Sequence, residues 1–169
     1  MKKYLVFTLI GGALALTACG KKEEAPSAPA TTATTAAPAA ASAVAEIELT
    51  ANDSMKFSAT HFEVAAGQQV KVTFTNMGTM PKVAMGHNFV LLKKGADLKA
   101  FTDAAVTAAA TDYVPASQAE NIIAHTKLLG PKQSDEITFK APTEPGEYPF
   151  ICSFPAHFLS GMKGVIVVK

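Results

Sequence analysis

Three side chains that bind soft metal ions lie close together near the C terminus. Cys152, His157 and Met162 follow one another with four residues between each pair, which gives the pattern Cys-x4-His-x4-Met. A thiolate, an imidazole and a thioether are soft and borderline ligands that select copper, and an electron-transfer copper site combines one cysteine, two histidines and a distant axial methionine. The pattern therefore predicts a copper site that still needs one histidine from elsewhere in the chain.

The second histidine is expected to be His87. It stands in the segment Gly86-His87-Asn88 and opens a predicted strand, whereas His61 and His125 have no ligand-type residue beside them. We therefore assign His87 to the site and interpret His125 as a surface residue and His61 as a strand-edge residue.

The same residues also have ordinary structural explanations. A lone cysteine at the end of an apolar strand is most often a buried thiol, and Met162 alone is typical of core packing. Their combination with a histidine in one loop favours a ligand set. An enzyme is not expected, because catalytic metal sites keep an open position and a nearby base, and no acidic residue adjoins this loop.

Composition excludes two further classes of protein. The chain of 169 residues has a formal net charge of +1 and contains lysine but no arginine, so no basic stripe is available to bind nucleic acid. It has only two cysteines, Cys19 and Cys152, and a disulfide framework is therefore excluded. Each cysteine needs a role of its own.

Residues 1–18 have the order of a bacterial export signal. A pair of lysines precedes an apolar run over residues 5–16, which is shorter than the roughly 20 residues that span a bilayer. The segment Leu16-Thr17-Ala18-Cys19 resembles the lipobox of bacterial lipoproteins, which implies cleavage after Ala18 and acylation of Cys19. Several acyl chains would give stable membrane anchorage. A plain secretory signal with an incidental cysteine is the alternative.

The segment that follows is predicted to be a linker. Residues 19–45 consist mostly of alanine, proline, threonine and serine after a short charged start, a composition that cannot form a packed core. We expect the lipidated Cys19 and a flexible linker over residues 19–45, followed by one domain over residues 46–169.

Residues 46–169 are predicted to form an all-β Greek-key sandwich of seven or eight short strands. Every second residue is apolar in residues 69–75 and 136–140, as in half-buried strands. Denser apolar runs at residues 89–92, 148–152 and 165–168 predict strands that face a core. One short helical insertion is expected around residues 96–110, where Leu98, Phe101 and Ala105 share a helical face. Short strands at this spacing favour a sandwich over a propeller or a barrel.

Four segments of this domain occur in the same order as in the azurins. They are Asn52-Asp53-Ser54-Met55, Met85-Gly86-His87-Asn88, residues 123–128 (IAHTKL) and Cys152-Ser153-Phe154-Pro155. The chain thus resembles the cupredoxins, and within them the azurins, over nearly all of residues 46–169. The resemblance implies a cupredoxin fold with one type 1 copper. It also implies the ligand set: His87, Cys152 and His157 in the plane, Met162 as weak axial ligand and the Gly86 carbonyl as a second axial contact.

The resemblance also implies the surroundings of the copper. Asn88 is expected to tie the His87 loop to Ser153, and backbone amides including that of Phe154 are expected to donate to the cysteine sulfur. A hydrophobic docking patch is expected around the exposed edge of His157, formed by Met55, Met80, Met85, Phe154 and Ala156. The departures from the azurin pattern include the spacing of four residues rather than three between His157 and Met162, and Ala156 in place of a glycine.

The resulting expectation is a single-electron carrier in a Gram-negative cell envelope. It would be lipid-anchored, with Gly20 favouring the outer membrane, and the domain would be monomeric. Its partners would be redox proteins such as c-type cytochromes, nitrite reductase or peroxidase, bound weakly and transiently. The alternative is a surface-displayed lipoprotein with an adhesion or copper-storage role, and a linker of this kind suits either function.

Overall fold

Within residues 43–169, nine short strands form two sheets that pack face to face. The computed structural model describes residues 43–169, so the predicted signal (1–18), Cys19 and nearly all of the predicted linker lie outside the described residues. The strands are β1 (Ala45–Asn52), β2 (Lys56–Phe57), β3 (His61–Val64), β4 (Gln69–Asn76), β5 (Val90–Leu92), β6 (Ile122–His125), β7 (Ser134–Lys140), β8 (Gly146–Ile151) and β9 (Lys163–Val168).

One sheet has four strands and the other has five. The first has the order β2-β1-β4-β7 and the second the order β3-β9-β8-β5-β6. β1 runs parallel to β4, with Ala45 opposite Val70 and Ala51 opposite Asn76, while β8 and β9 are antiparallel. The predicted all-β sandwich is confirmed. The strand count exceeds the expected seven or eight because β2, with two residues, is too short to show a pattern.

The core lies between the two sheets and is rich in phenylalanine. β4 shows strict alternation, since Val70, Val72 and Phe74 are fully buried while the residues between them are at least partly exposed. Phe150 packs against Phe89 from the neighbouring strand segment with ring centroids 5.2 Å apart. Aromatic pairs at this separation add stability beyond the area they bury, so the sandwich is a firm support for the loops at its ends.

The helical segments lie in the connections between strands. α1 (Lys82–Met85) begins after Pro81 and ends at Gly86, and α2 (Leu98–Val106) begins at Asp97, whose side chain accepts a hydrogen bond from the Ala100 amide at 3.0 Å. α2 confirms the predicted insertion, although two 3-10 turns, Ala109–Thr111 and Ala116–Asn121, follow it. α1 was not predicted, because four residues are too few to reveal a helical period.

The direction of β1 identifies the two ends of the sandwich. β1 starts at Ala45 and finishes at Asn52, and the backbone of Asn52 lies close enough to His87 to affect its pKa. We call the end of the sandwich that carries Asn52 and His87 the metal end. Within residues 43–169 no helix has the length and apolar character needed to cross a bilayer.

Candidate metal centre

Three predicted ligands meet in a buried cluster at the metal end. The Nδ1 atoms of His87 and His157 are 3.2 Å apart, and the Cys152 Sγ lies 3.4 Å from the His157 Nδ1. The candidate ligand atoms of the three residues all lie within 4.8 Å of one another. His87 and Cys152 are fully buried and His157 is only 2% exposed. A thiol and two imidazoles thus converge on one point, and within the described residues no carboxylate joins this cluster.

The ends of β8 and β9 place Cys152 next to Met162. The last register pair of these strands is Ile151 with Lys163, and just beyond it the Cys152 amide donates to the Met162 carbonyl at 3.1 Å. Met162 is fully buried. The loop over residues 153–161 is therefore closed by the sheet, with a cysteine and a methionine at its two ends.

A helix-like turn joins His157 to Met162. The Met162 amide donates to the His157 carbonyl at 3.0 Å, and the Gly161 amide donates to the Phe158 carbonyl at 2.9 Å. Gly161 has φ +89°. These two bonds and the left-handed glycine are the pattern of a Schellman motif, which closes the last turn of a helix. The four residues between His157 and Met162 therefore form a defined turn rather than a loose loop.

His87 is held by a backbone pair with Leu129. The His87 amide donates to the Leu129 carbonyl at 3.1 Å, and the Leu129 amide returns a bond to the His87 carbonyl at 2.8 Å. Gly86 is packed so closely that a Cβ there would lie 2.8 Å from the Lys82 carbonyl oxygen and 2.9 Å from a Leu128 side-chain carbon. A residue without a side chain is therefore required just before His87.

Asn88 links the His87 segment to the cysteine loop. The Ser153 amide donates to the Asn88 Oδ1 at 2.9 Å, and the Asn88 Nδ2 donates to the Ser153 Oγ at 2.8 Å. Both side chains are buried. The two chain segments that carry ligands are thus joined by a paired hydrogen bond, as the resemblance to azurins implied.

Burial keeps the three ligand groups uncharged when no cation is present. It raises the pKa of the Cys152 thiol to about 12, although the backbone amides of Asn88 and Phe154 favour the thiolate. Burial, followed by repulsion from His87, lowers the pKa of His157 to about 4. Burial also lowers the pKa of His87, partly opposed by the Asn52 backbone and the Asp53 carboxylate. Neutral imidazoles present free lone pairs, and a bound cation would favour the thiolate by its own charge.

The arrangement of the cluster is better explained as a copper site than as a group of buried side chains without a metal. Two neutral imidazoles whose Nδ1 atoms face each other at 3.2 Å can share only one proton between those atoms. A cation between the two Nδ1 atoms and the sulfur resolves that arrangement. One thiolate with two imidazoles is a donor set that suits copper.

The other histidines lie away from this cluster. His61 is exposed on β3, with its Nε2 3.7 Å from the Glu63 carboxylate, and His125 is exposed at the end of β6. Neither contributes to the converging ligand atoms. The choice of His87 from its sequence neighbours therefore agrees with the geometry.

The predicted docking residues differ in exposure. Met80 and Ala156 are exposed, Met55 and Met85 are half-buried, and Phe154 is buried. Phe154 instead packs on the His157 ring with centroids 4.6 Å apart.

Further apolar residues at the metal end are exposed, and sequence reasoning missed them. Val83 in α1 is 87% exposed and Leu159 in the ligand turn is 81% exposed. Met77 follows β4 and is also exposed, while Val106 lines a cleft together with Leu159. Exposure cannot be read from residue type alone, so no sequence signal separated these residues from core positions. We call Met77, Met80, Val83, Val106, Ala156 and Leu159 the apolar rim.

The comparisons with known proteins agree with this geometry. The model of the family described as copper binding proteins, plastocyanin/azurin family, matches residues 43–169. Azurin from Alcaligenes faecalis is 36% identical over 124 residues, which covers 72% of this chain and 95% of that protein. Outer membrane protein H.8 from Neisseria meningitidis serogroup B is 38% identical over 109 residues, which covers 63% of this chain and 58% of that protein.

The solved structures include a similar fold at comparable identity. The crystal structure of Na-dithionite reduced auracyanin from the photosynthetic bacterium Roseiflexus castenholzii superposes with a TM-score of 0.66 at 41% sequence identity. The match covers 73% of this chain and 96% of that one. The sandwich fold, the buried cluster of one cysteine and two histidines, and these matches together show that the chain belongs to the plastocyanin/azurin family of copper-binding proteins.

Proposed function

We propose that the protein is a single-electron carrier of the Gram-negative cell envelope. The observation that carries the proposal is the buried cluster of His87, Cys152 and His157, whose ligand atoms lie within 4.8 Å of one another. Cupredoxins in general carry electrons, and copper supplies the one-electron couple between Cu(I) and Cu(II). The protein's own contribution is to hold the ligands and to exclude water.

Five groups are proposed to hold the copper. The Nδ1 atoms of His87 and His157 and the Cys152 sulfur would be the main ligands, and the Met162 thioether and the Gly86 carbonyl would add weaker contacts. Met162 supports this role through its burial and its two backbone bonds to the other ligand residues, Cys152 and His157. The close packing of Gly86 supports its place directly beside the cluster.

The hydrogen bonds around the ligands suit repeated electron transfer. The hydrogen bonds between Asn88 and Ser153, between Met162 and His157 and between His87 and Leu129 each fix one ligand segment. Hydrogen bonds to the ligand-bearing segments orient the ligands and adjust the reduction potential of a bound metal. Because the ligands are held from outside, a change of one charge at the metal requires little movement of the chain.

The apolar rim is proposed as the docking surface for redox partners. Ala156 and Leu159 of the rim lie in the same turn as His157, which is 2% exposed while His87, Cys152 and Met162 are fully buried. Electron-transfer encounters use small, weak interfaces, and an apolar rim suits contacts that form and dissociate quickly. We propose as partners redox proteins such as c-type cytochromes, nitrite reductase or peroxidase, with the domain itself monomeric.

Copper titration followed by redox cycling tests the proposed function. The chain from Cys19 onward, produced without acylation, is expected to bind one copper and to show an intense thiolate-to-copper absorption band. Anaerobic reduction should bleach the band and reoxidation should restore it. A colourless Cu(II) complex would contradict electron transfer, and uptake of several ions per chain would favour copper storage instead. The described residues hold one complete cluster, so a stoichiometry of one is expected.

Anchorage through Cys19 is proposed as the means of localisation. Residues 1–18 would be the signal peptide, residues 19–45 the lipidated cysteine with its linker, and residues 46–169 the copper domain. The order of charged, apolar and cysteine residues supports this division, and so does the similarity to outer membrane protein H.8. The outer membrane, facing the periplasm or the cell surface, is the proposed site.

Metabolic labelling tests the anchor. Cells grown with a palmitate analogue are expected to incorporate it into the wild-type protein, which should fractionate with membranes. The variant Cys19→Ala should carry no label, because the acylated residue is gone, and should appear in the soluble fraction. Cys152→Ala provides the matched control, since it removes the other cysteine and should keep both the label and the membrane location. Label that persists in Cys19→Ala would refute lipidation at this residue.

A further inference from the structure

Two consecutive residues near the metal end adopt the left-handed conformation. Asp112 has φ +54° and Tyr113 has φ +61°. This conformation is uncommon for residues other than glycine, and two in succession require support from the surrounding structure. Backbone strain of this kind is concentrated at functional sites, so the contacts of the pair indicate what the strain maintains.

Asp112 contacts three segments that adjoin His87. Its backbone carbonyl accepts a hydrogen bond from the Asn88 Nδ2 at 3.1 Å. Its carboxylate accepts from the Leu128 amide at 3.2 Å and pairs with the Lys82 Nζ at 3.3 Å. Lys82 begins the helix that leads to Gly86, and Asn88 directly follows His87. Leu128 directly precedes Leu129, which pairs with the His87 backbone. Asp112 therefore contacts all three chain segments that adjoin His87.

Tyr113 reaches the other histidine through Phe154. The Tyr113 ring meets the Phe154 ring edge-on with centroids 4.9 Å apart, and Phe154 packs on His157 at 4.6 Å. Both rings line a surface cleft of about 250 Å³. The Tyr113 ring thus covers one edge of the ring that packs on His157.

We propose that the Asp112–Tyr113 turn is a positioning element that fixes the separation and tilt of His87 relative to His157. The inference rests on the proposed ligation of copper by these two histidines. The left-handed pair directs the Asp112 carbonyl to Asn88 and the Tyr113 ring to Phe154, and an ordinary turn would not make both contacts from adjacent residues. The same ring limits the access of water to the side of His157, and the apolar shell of a metal site controls its reduction potential.

Replacing the Tyr113 ring tests the proposal on the copper-loaded protein. Tyr113→Leu is expected to lower the reduction potential, because water admitted beside His157 favours the more highly charged Cu(II). It should also change the ratio of the thiolate-to-copper absorption bands and the EPR parameters. Tyr113→Phe keeps the ring and should match the wild type in all three measurements.

A matched control separates positioning from general destabilisation. Tyr148 is a buried tyrosine in β8, and its hydroxyl donates to the Glu144 carbonyl at 2.8 Å. Tyr148→Leu should lower the unfolding temperature while leaving the potential and the spectra unchanged. If Tyr113→Leu also lowers only the unfolding temperature, the turn has a purely structural role and the proposal is overturned.

A double-mutant cycle tests the route through Phe154. If Tyr113 acts by way of that ring, Tyr113→Leu should cause little further shift of the potential in a Phe154→Leu background. A shift of undiminished size would overturn the proposed route, and a Tyr113→Phe shift as large as that of Tyr113→Leu would overturn the role of the ring. A wild-type protein that lacks the blue band would instead refute the proposed function, so the two failures are distinguishable.

Discussion

Replacing Cys152 with serine is expected to abolish the intense visible band of the copper-loaded protein completely. That band requires a thiolate bound to copper, and Cys152 is the only cysteine among the described residues. A serine hydroxyl does not ionise in this buried place, and it is a harder ligand than the sulfur that copper prefers. Absorption and EPR spectra recorded during copper titration measure the effect, together with the loss of reversible reduction.

Two comparisons make the Cys152→Ser result specific. The fold should persist, because a buried hydroxyl in place of a thiol costs only about 1–3 kcal/mol, and the far-ultraviolet circular dichroism should match that of the wild type. His125→Ala should keep the blue band, since His125 is exposed at the end of β6. Loss of the band in both variants would mean that the histidine ligands are wrongly assigned.

Gly161→Ala is expected to disturb both the stability and the copper centre. Gly161 closes the turn between His157 and Met162 at φ +89°, and an alanine there costs about 1–2 kcal/mol because its Cβ approaches a carbonyl oxygen. The added Cβ would also lie 2.7 Å from the Lys56 Nζ, which contacts the Ser160 carbonyl. The turn should open, the Met162 side chain should move relative to His157, and the EPR spectrum should change with the unfolding midpoint.

Gly95→Ala is the matched control for this variant. Gly95 has φ +77°, and an added Cβ would meet no atom within 4 Å. It should lose a similar amount of free energy of unfolding from backbone strain, yet its copper spectra should equal those of the wild type. If Gly161→Ala also leaves the spectra unchanged, the turn does not control the geometry of Met162.

The ligand turn was predictable from sequence because its chemistry is local. Cys152, His157 and Met162 lie within one loop, so their spacing alone indicated the kind of metal. The strict alternation of β4 was equally visible, since one face of that strand is buried in the core. His87 required a further step, because its distance in sequence from the loop is bridged only by the folded sheets.

Other parts of the site depend on long-range contacts and left little trace in the sequence. The Asp112–Tyr113 turn follows an alanine-rich stretch with no ligand pattern, and its connection to Asn88 and Phe154 exists only in three dimensions. The apolar rim also left little trace in the sequence, since Val83 and Leu159 are exposed although valine and leucine are typical core residue types. Their exposure results from the short helix α1 and the ligand turn, neither of which has a sequence period that predicts an orientation.

The direction of β1 has a consequence for how a tethered copper domain would search for partners. β1 begins at Ala45 and reaches the metal end at Asn52, a run of about 23 Å at the usual rise of roughly 3.3 Å per residue. The point at which a tether would join the domain, Ala45, therefore lies at the end of β1 away from the metal end. In the proposed function, tether length would set the effective concentration of the domain near membrane-bound partners, while the apolar rim would set the affinity. Evolution or design can change the reach of such a carrier without altering the surface through which it exchanges electrons.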